Sequence, residues 1–180
     1  MDILLIFVEL LIIVAYLFRY RLFHKKTYIL FDRIKFTIQP YWQTILIPIL
    51  IVFAIWITWA FYLITIYKIS PHGSFDIEYL FQNVLMAGIS ESILQAFILS
   101  FFFLIIDRNV SDKWILSGMY SIVIVGFAFI IALLHFPTFS LSFYVRFVNF
   151  IAYGWMYQLT KENLLPMITA HCFWNALLMV

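Results

Sequence analysis

AGISESILQAFILSFFFLIIDRNVSDKWILSGMYSIVIVGFAFIIALLHF (87–136) is two apolar runs divided by one charged stretch, DRNVSDK (107–113). Each run is about as long as the roughly 20 apolar residues that an α-helix needs to cross a bilayer core. The charged break between them has the composition of an aqueous turn. This pair of helices predicts a polytopic, all-α membrane bundle.

The same ruler, moved outward, gives about six transmembrane segments. They are expected at Ile3–Phe18, Ile45–Tyr67, Tyr79–Ile106, Trp114–Phe136, Leu141–Leu159 and Leu164–Val180. Arg146 interrupts the fifth, and the sixth is short enough to be partly re-entrant. Residues 19–40, RYRLFHKKTYILFDRIKFTIQP, alternate basic and apolar side chains, which predicts an interfacial amphipathic helix. Composition agrees: 66% of the 180 residues are hydrophobic and 11% are charged, far from the balance of a soluble domain. The N-terminus lacks a basic n-region and a small-residue cleavage site, so it reads as a retained helix rather than a signal peptide. One integrated membrane domain is expected, with N-terminal helices and the basic segment in residues 1–78 and a core in residues 79–180.

Lysine and arginine set the expected orientation. Arg19, Arg21, Lys25, Lys26, Arg33 and Lys35 follow the first segment, Arg108 and Lys113 the third, and Lys161 the fifth. These loops fall on one side, which predicts cytoplasmic basic loops and both termini outside. The expected location is the plasma membrane of a prokaryote. Membrane lipid is the implied surroundings, and no basic-aromatic patch points to nucleic acid. Cys172 is the only cysteine, so no internal disulfide can form.

Ionisable residues at membrane depth are costly and therefore informative. Glu9, Glu91, His135, Arg146 and His171 are the set. Glu9 and Arg146 read most simply as a helix–helix ion pair, or as side chains reaching the surface. Glu91 is surrounded by Ser90, Ser92 and Gln95, and Gln95 at i+4 is within reach of its carboxyl. His171 and Asn175 share one face of the last helix. A glutamate with two histidines suits water activation, and a His/Asn pair one turn apart can donate to an oxyanion. The same Glu91, His135 and His171 could instead hold a zinc ion.

This constellation resembles the CPBP intramembrane proteases, also called the Abi or type II CAAX prenyl endopeptidase family. That family carries EExxxR, FxxxH and HxxxN/D motifs on successive helices. His171 and Asn175 match the third, after a similar lead-in, YGWMYQLTKENLLPMITAH (153–171). His135 matches the second, with Ile131 where phenylalanine is usual. The likeness runs from about Ala87 to Leu178. In one register Ser90 replaces the first glutamate, Glu91 is the second and Gln95 replaces the arginine. In the other, Glu91 is the first glutamate, Ser92 the second, and Ala96 stands at the arginine.

The resemblance implies an intramembrane endopeptidase, with Glu91 and His135 activating water and His171 and Asn175 stabilising the oxyanion. Its substrates would be membrane-anchored peptides or proteins, prenylated or leader-bearing, and no cofactor is required by this mechanism. The alternative is an inactive relative with a binding, immunity or regulatory role. A proton relay or transporter is a weaker third reading, because the helices lack broken-repeat symmetry.

Overall fold

A computed structural model of the chain describes residues 33–38, 40–62, 64–65, 80–136 and 138–178. Among the described residues the architecture is five α-helices and no named strand. A π-helical turn, Trp42–Leu46, leads into α1 (Ile47–Tyr62). A second π-helical stretch, Leu80–Ala87, leads into α2 (Gly88–Asn109). Then follow α3 (Lys113–His135), α4 (Leu141–Leu159) and α5 (Leu164–Leu177). The expected first segment, with Glu9, lies outside the described residues, as does most of the expected interfacial helix.

The breaks are built from capping side chains, which satisfy helix-terminal N–H groups that would otherwise lack acceptors. Asp112 accepts from Trp114 N at 2.8 Å and Ile115 N at 3.1 Å, starting α3 directly after the charged break. Ser140 caps α4 through Phe143 N at 3.3 Å, and Asn163 caps α5 through Leu165 N at 3.3 Å. α4 ends in a Schellman turn, with Glu162 N bonded to Tyr157 O at 2.8 Å and Lys161 N to Gln158 O at 3.1 Å. Lys161 therefore takes the left-handed conformation, φ 57°, where glycine is usual, and Glu162 follows at φ 63°. A side chain in that region costs about 1–2 kcal/mol.

Three described helices are long and apolar enough to cross a membrane: Thr44–Tyr62, Val84–Asn109 and Lys113–His135. Of these three, the second is the most enclosed by protein. The protein is an integral membrane protein. α5 has 14 residues and so spans about 21 Å, short of a bilayer core of about 30 Å.

The core is apolar, with Leu99, Phe103, Ile124, Phe150, Tyr153 and Met167 almost fully buried. Helix separation is set at two glycines. A Cβ on Gly154 of α4 would stand 2.7 Å from Ile124 Cγ2 of α3. A Cβ on Gly88 would stand 2.7 Å from Cys172 Sγ and 3.2 Å from its Cα and N, so α2 and α5 touch nearly backbone to backbone. Gly88→Val should force these helices apart and destabilise the protein by about 1–3 kcal/mol. A thermal melt in detergent checks this, and an unchanged midpoint would refute the close crossing.

At the far end of α2 the charged breaks meet. Arg33 bonds both carboxylate oxygens of Glu162 through Nε at 2.9 Å, and Asp107 through Nη1 at 2.6 Å. Ser100 donates to Glu162 at 2.9 Å and bonds Tyr157 Oη at 2.7 Å. Burial works against the Arg33 charge, but its bonds to Glu162 and Asp107 outweigh that and raise its pKa. Residues 34–38 are not helical, contrary to the expected amphipathic helix. Their backbone is used to clip onto the α4–α5 turn, with Lys35 N bonded to Glu162 O and Leu164 N to Lys35 O, each at 2.8 Å. Asn163 completes the clip with Thr37 N at 3.1 Å and Thr37 O at 2.7 Å. Arg33→Met should lower stability by about 2 kcal/mol, the scale of charge-assisted hydrogen bonds. A midpoint within a degree of wild type would show that the clip holds without it.

Candidate active site

The Gly88–Cys172 crossing fixes the first pair of polar side chains. Glu91 lies one turn beyond Gly88 on α2, and His171 immediately precedes Cys172 on α5. Glu91 Oε2 stands 3.4 Å from His171 Nε2. His135, the last residue of α3, brings its Nε2 to 3.7 Å from the same oxygen. Three helices thus converge on one carboxylate oxygen. His171 is almost fully buried, whereas the His135 side chain is 30% exposed and opens the cluster toward the end of α3.

The outer ring nitrogens decide what the inner ones can do. His135 Nδ1 donates to Ile131 O at 2.9 Å, one turn back on its own helix. In the neutral ring this leaves Nε2 as an acceptor. Ser92 spends its only proton on Gly88 O at 2.6 Å, so it can only accept from His171 Nδ1, at 3.4 Å. His171 Nε2 is then an acceptor too. With both rings neutral, two imidazole acceptors and a carboxylate face each other, and among the described residues both Glu91 Oε2 and His171 Nε2 are buried without a hydrogen-bond donor. A small molecule with two O–H groups satisfies such a cluster.

The structure places the remaining expected residues as follows. Asn175 is buried on α5, one turn after His171. Gln95 does not reach Glu91. Its Nε2 crosses to Phe150 O on α4 at 3.1 Å, and its Oε1 has no partner among the described residues. The expected i, i+4 contact fails because Glu91 turns toward the histidines and Gln95 toward α4. Ser90 is buried and points its hydroxyl back at Ala87 O, 3.4 Å away. Arg146 is half-buried, and its guanidinium carbon lies 5.8 Å from the Phe150 ring centroid.

One wall was not anticipated. Arg146, Asn149, Phe150 and Tyr153 fall at i, i+3, i+4 and i+7, a single face of α4. Phe150 packs against His135 at 5.7 Å and His171 at 5.9 Å between ring centroids, and Tyr153 stacks on His171 at 5.0 Å. Among the described residues, Arg146 Nη1, both side-chain polar atoms of Asn149 and Tyr153 Oη are buried without hydrogen-bond partners. The signal is present in RFVNFIAY (146–153), whose polar side chains repeat at helical spacing. A cavity of about 120 Å³ adjoins this wall, lined by Arg146, Trp59, Phe136 and Trp174 among others.

Carboxylate and imidazole are ligands that zinc takes. Among the described residues, however, no three His, Cys, Asp or Glu side chains are arranged to hold a metal ion.

An acid and two imidazoles within a helical membrane bundle define the class: a polytopic membrane protein with a polar site enclosed by its helices. Residues 77–177, more than half of the chain, match the family model for type II CAAX prenyl endopeptidase Rce1-like proteins, and the chain belongs to that family. Comparison with curated proteins and with solved structures gives no match.

Proposed function

We propose that the protein is an intramembrane endopeptidase in which Glu91 is the general base. The observation that carries this reading is the convergence of His171 Nε2 and His135 Nε2 on Glu91 Oε2, at 3.4 and 3.7 Å. A water molecule seated there gives one hydrogen to the carboxylate and the other to an imidazole. Glu91 takes the first proton as the water oxygen bonds to the scissile carbonyl carbon. The same proton then passes to the leaving nitrogen as the C–N bond breaks, which restores the carboxylate and leaves an acid and an amine.

The acceptor state of His171 divides the labour differently from the sequence expectation. His171 holds the water, and Asn175, one turn further along α5, supplies the amide donor for the oxyanion. Arg146 adds positive charge on the same side. The substrate class is a membrane-anchored peptide, prenylated or leader-bearing.

A second reading, an inactive binding protein, rests on Ser90 and Gln95 standing where the family motif has a glutamate and an arginine. The test is release of a fluorophore from lipid-anchored peptides by the full-length protein in vesicles. Turnover that disappears with Glu91→Gln supports the protease. Peptide binding without turnover would favour the second reading.

A further inference from the structure

The end of the bundle remote from Glu91 holds a second cavity, about 290 Å³, that the proposed chemistry does not use. Its walls include Lys35, Thr37, Thr44, Leu159, Lys161 and Asn163. Half of it comes from the segment before residue 77, so it is not a feature of the matched family region. Both lysines are exposed, and no carboxylate is among its described lining residues. The nearby acid, Glu162, is turned away and held by Arg33 and Ser100.

The backbone builds this separation of charge. The left-handed pair Lys161–Glu162 sends consecutive side chains of opposite sign to different places. Glycine would close the Schellman turn without strain, yet the chain carries lysine there. Strain retained at a ligand-facing position is what a binding site tolerates. The clip between residues 35–37 and 162–164 then sets Lys35 beside Lys161.

From the cavity's cations and its position we infer that it binds the phosphate of an anionic membrane lipid. Two ammonium groups supply six N–H donors and two charges, which suits a phosphate rather than a neutral headgroup. The location is the end of apolar spanning helices, where headgroups lie. Leu159, 77% exposed, lines the same cavity, and Tyr41 and Trp42 are exposed nearby in sequence, as expected where acyl chains meet headgroups.

The test is the melting midpoint of the purified full-length protein in neutral detergent, with dioleoylphosphatidylglycerol, dioleoylphosphatidylcholine or inorganic phosphate added. Phosphatidylglycerol should raise the wild-type midpoint by about 4 °C, and phosphatidylcholine by less than half of that. The shift should fall below about 1 °C in Lys35→Gln/Lys161→Gln. It should persist in Lys113→Gln, which removes an exposed charge outside the cavity. Because the replaced lysines are exposed, each variant's midpoint without lipid serves as its own reference. No wild-type shift, or a shift that survives the double substitution, overturns the proposal. An equal loss in Lys113→Gln would reduce it to diffuse surface charge. An equal rise with millimolar inorganic phosphate would assign the cavity to the free ion instead. None of these readouts depends on proteolysis.

Discussion

Glu91→Gln is expected to lower cleavage of a lipid-anchored peptide by at least about a hundredfold, the lower end of what general base catalysis contributes. Glutamine keeps the shape and size of the side chain but cannot take a proton from water. The fall should appear in kcat, with KM nearly unchanged, because glutamine fills the same space and removes only the proton acceptor. The fold should also remain. Among the described residues Glu91 Oε2 has no hydrogen-bond donor to lose, and the close crossing at Gly88 lies a turn away. Cleavage within threefold of wild type would remove Glu91 from the mechanism. Ser90→Glu provides the contrasting arm. Ser90 is buried and its hydroxyl points along its own helix, so a carboxylate there should destabilise the bundle rather than create a base. A gain in turnover in that variant would instead favour the register in which position 90 carries the catalytic acid.

Membrane segments are the most legible feature of this chain, because they depend on local composition. The expected Leu141–Leu159 is the observed α4, and Trp114–Phe136 differs from α3 by one residue at each end. The charged break at 107–113 was visible for the same reason, and the structure finds the cap of α3, Asp112, within it. The grouping of Glu91, His135 and His171 was also legible, since membrane-depth ionisable residues have few places to go. What could not be read was direction. One residue on a helix is about 100°, and sequence alone left Glu91 facing either the histidines or Gln95. The answer lies in contacts between helices. Gln95 finds Phe150 O, 55 positions away, and Asn163 finds Thr37, 126 positions away. The same blindness hid the clip. Residues 34–38 alternate apolar and polar side chains with the period of an extended strand, and their backbone bridges to the α4–α5 turn instead of coiling into the expected helix. Arg146 was paired in the sequence reading with Glu9, which lies outside the described residues, and its place beside Asn149, Phe150 and Tyr153 on one face of α4 went unread.

His171→Ala should cost activity on a similar scale, about a hundredfold or more, for a different physical reason. The ring is fully buried, stacked on Tyr153 and flanked by Phe150. Its loss leaves a void beside Glu91 in which water can sit without being aimed. Two effects therefore need separating, loss of the acceptor and loss of packing. His171→Phe refills much of the space without restoring Nε2. If the imidazole holds the water, both variants should be nearly equally inactive, while the phenylalanine variant recovers part of the thermal midpoint that alanine loses. Ser92→Ala isolates the tautomer. It removes the acceptor for His171 Nδ1–H and leaves the ring's stacking intact, so activity should fall about tenfold with little change in melting. Residues that act on one water do not act independently. The double variant Glu91→Gln/His171→Ala should thus be no more than about tenfold below the worse single variant. Losses that multiply in full would place Glu91 and His171 on separate steps, and the shared-water mechanism would then be wrong.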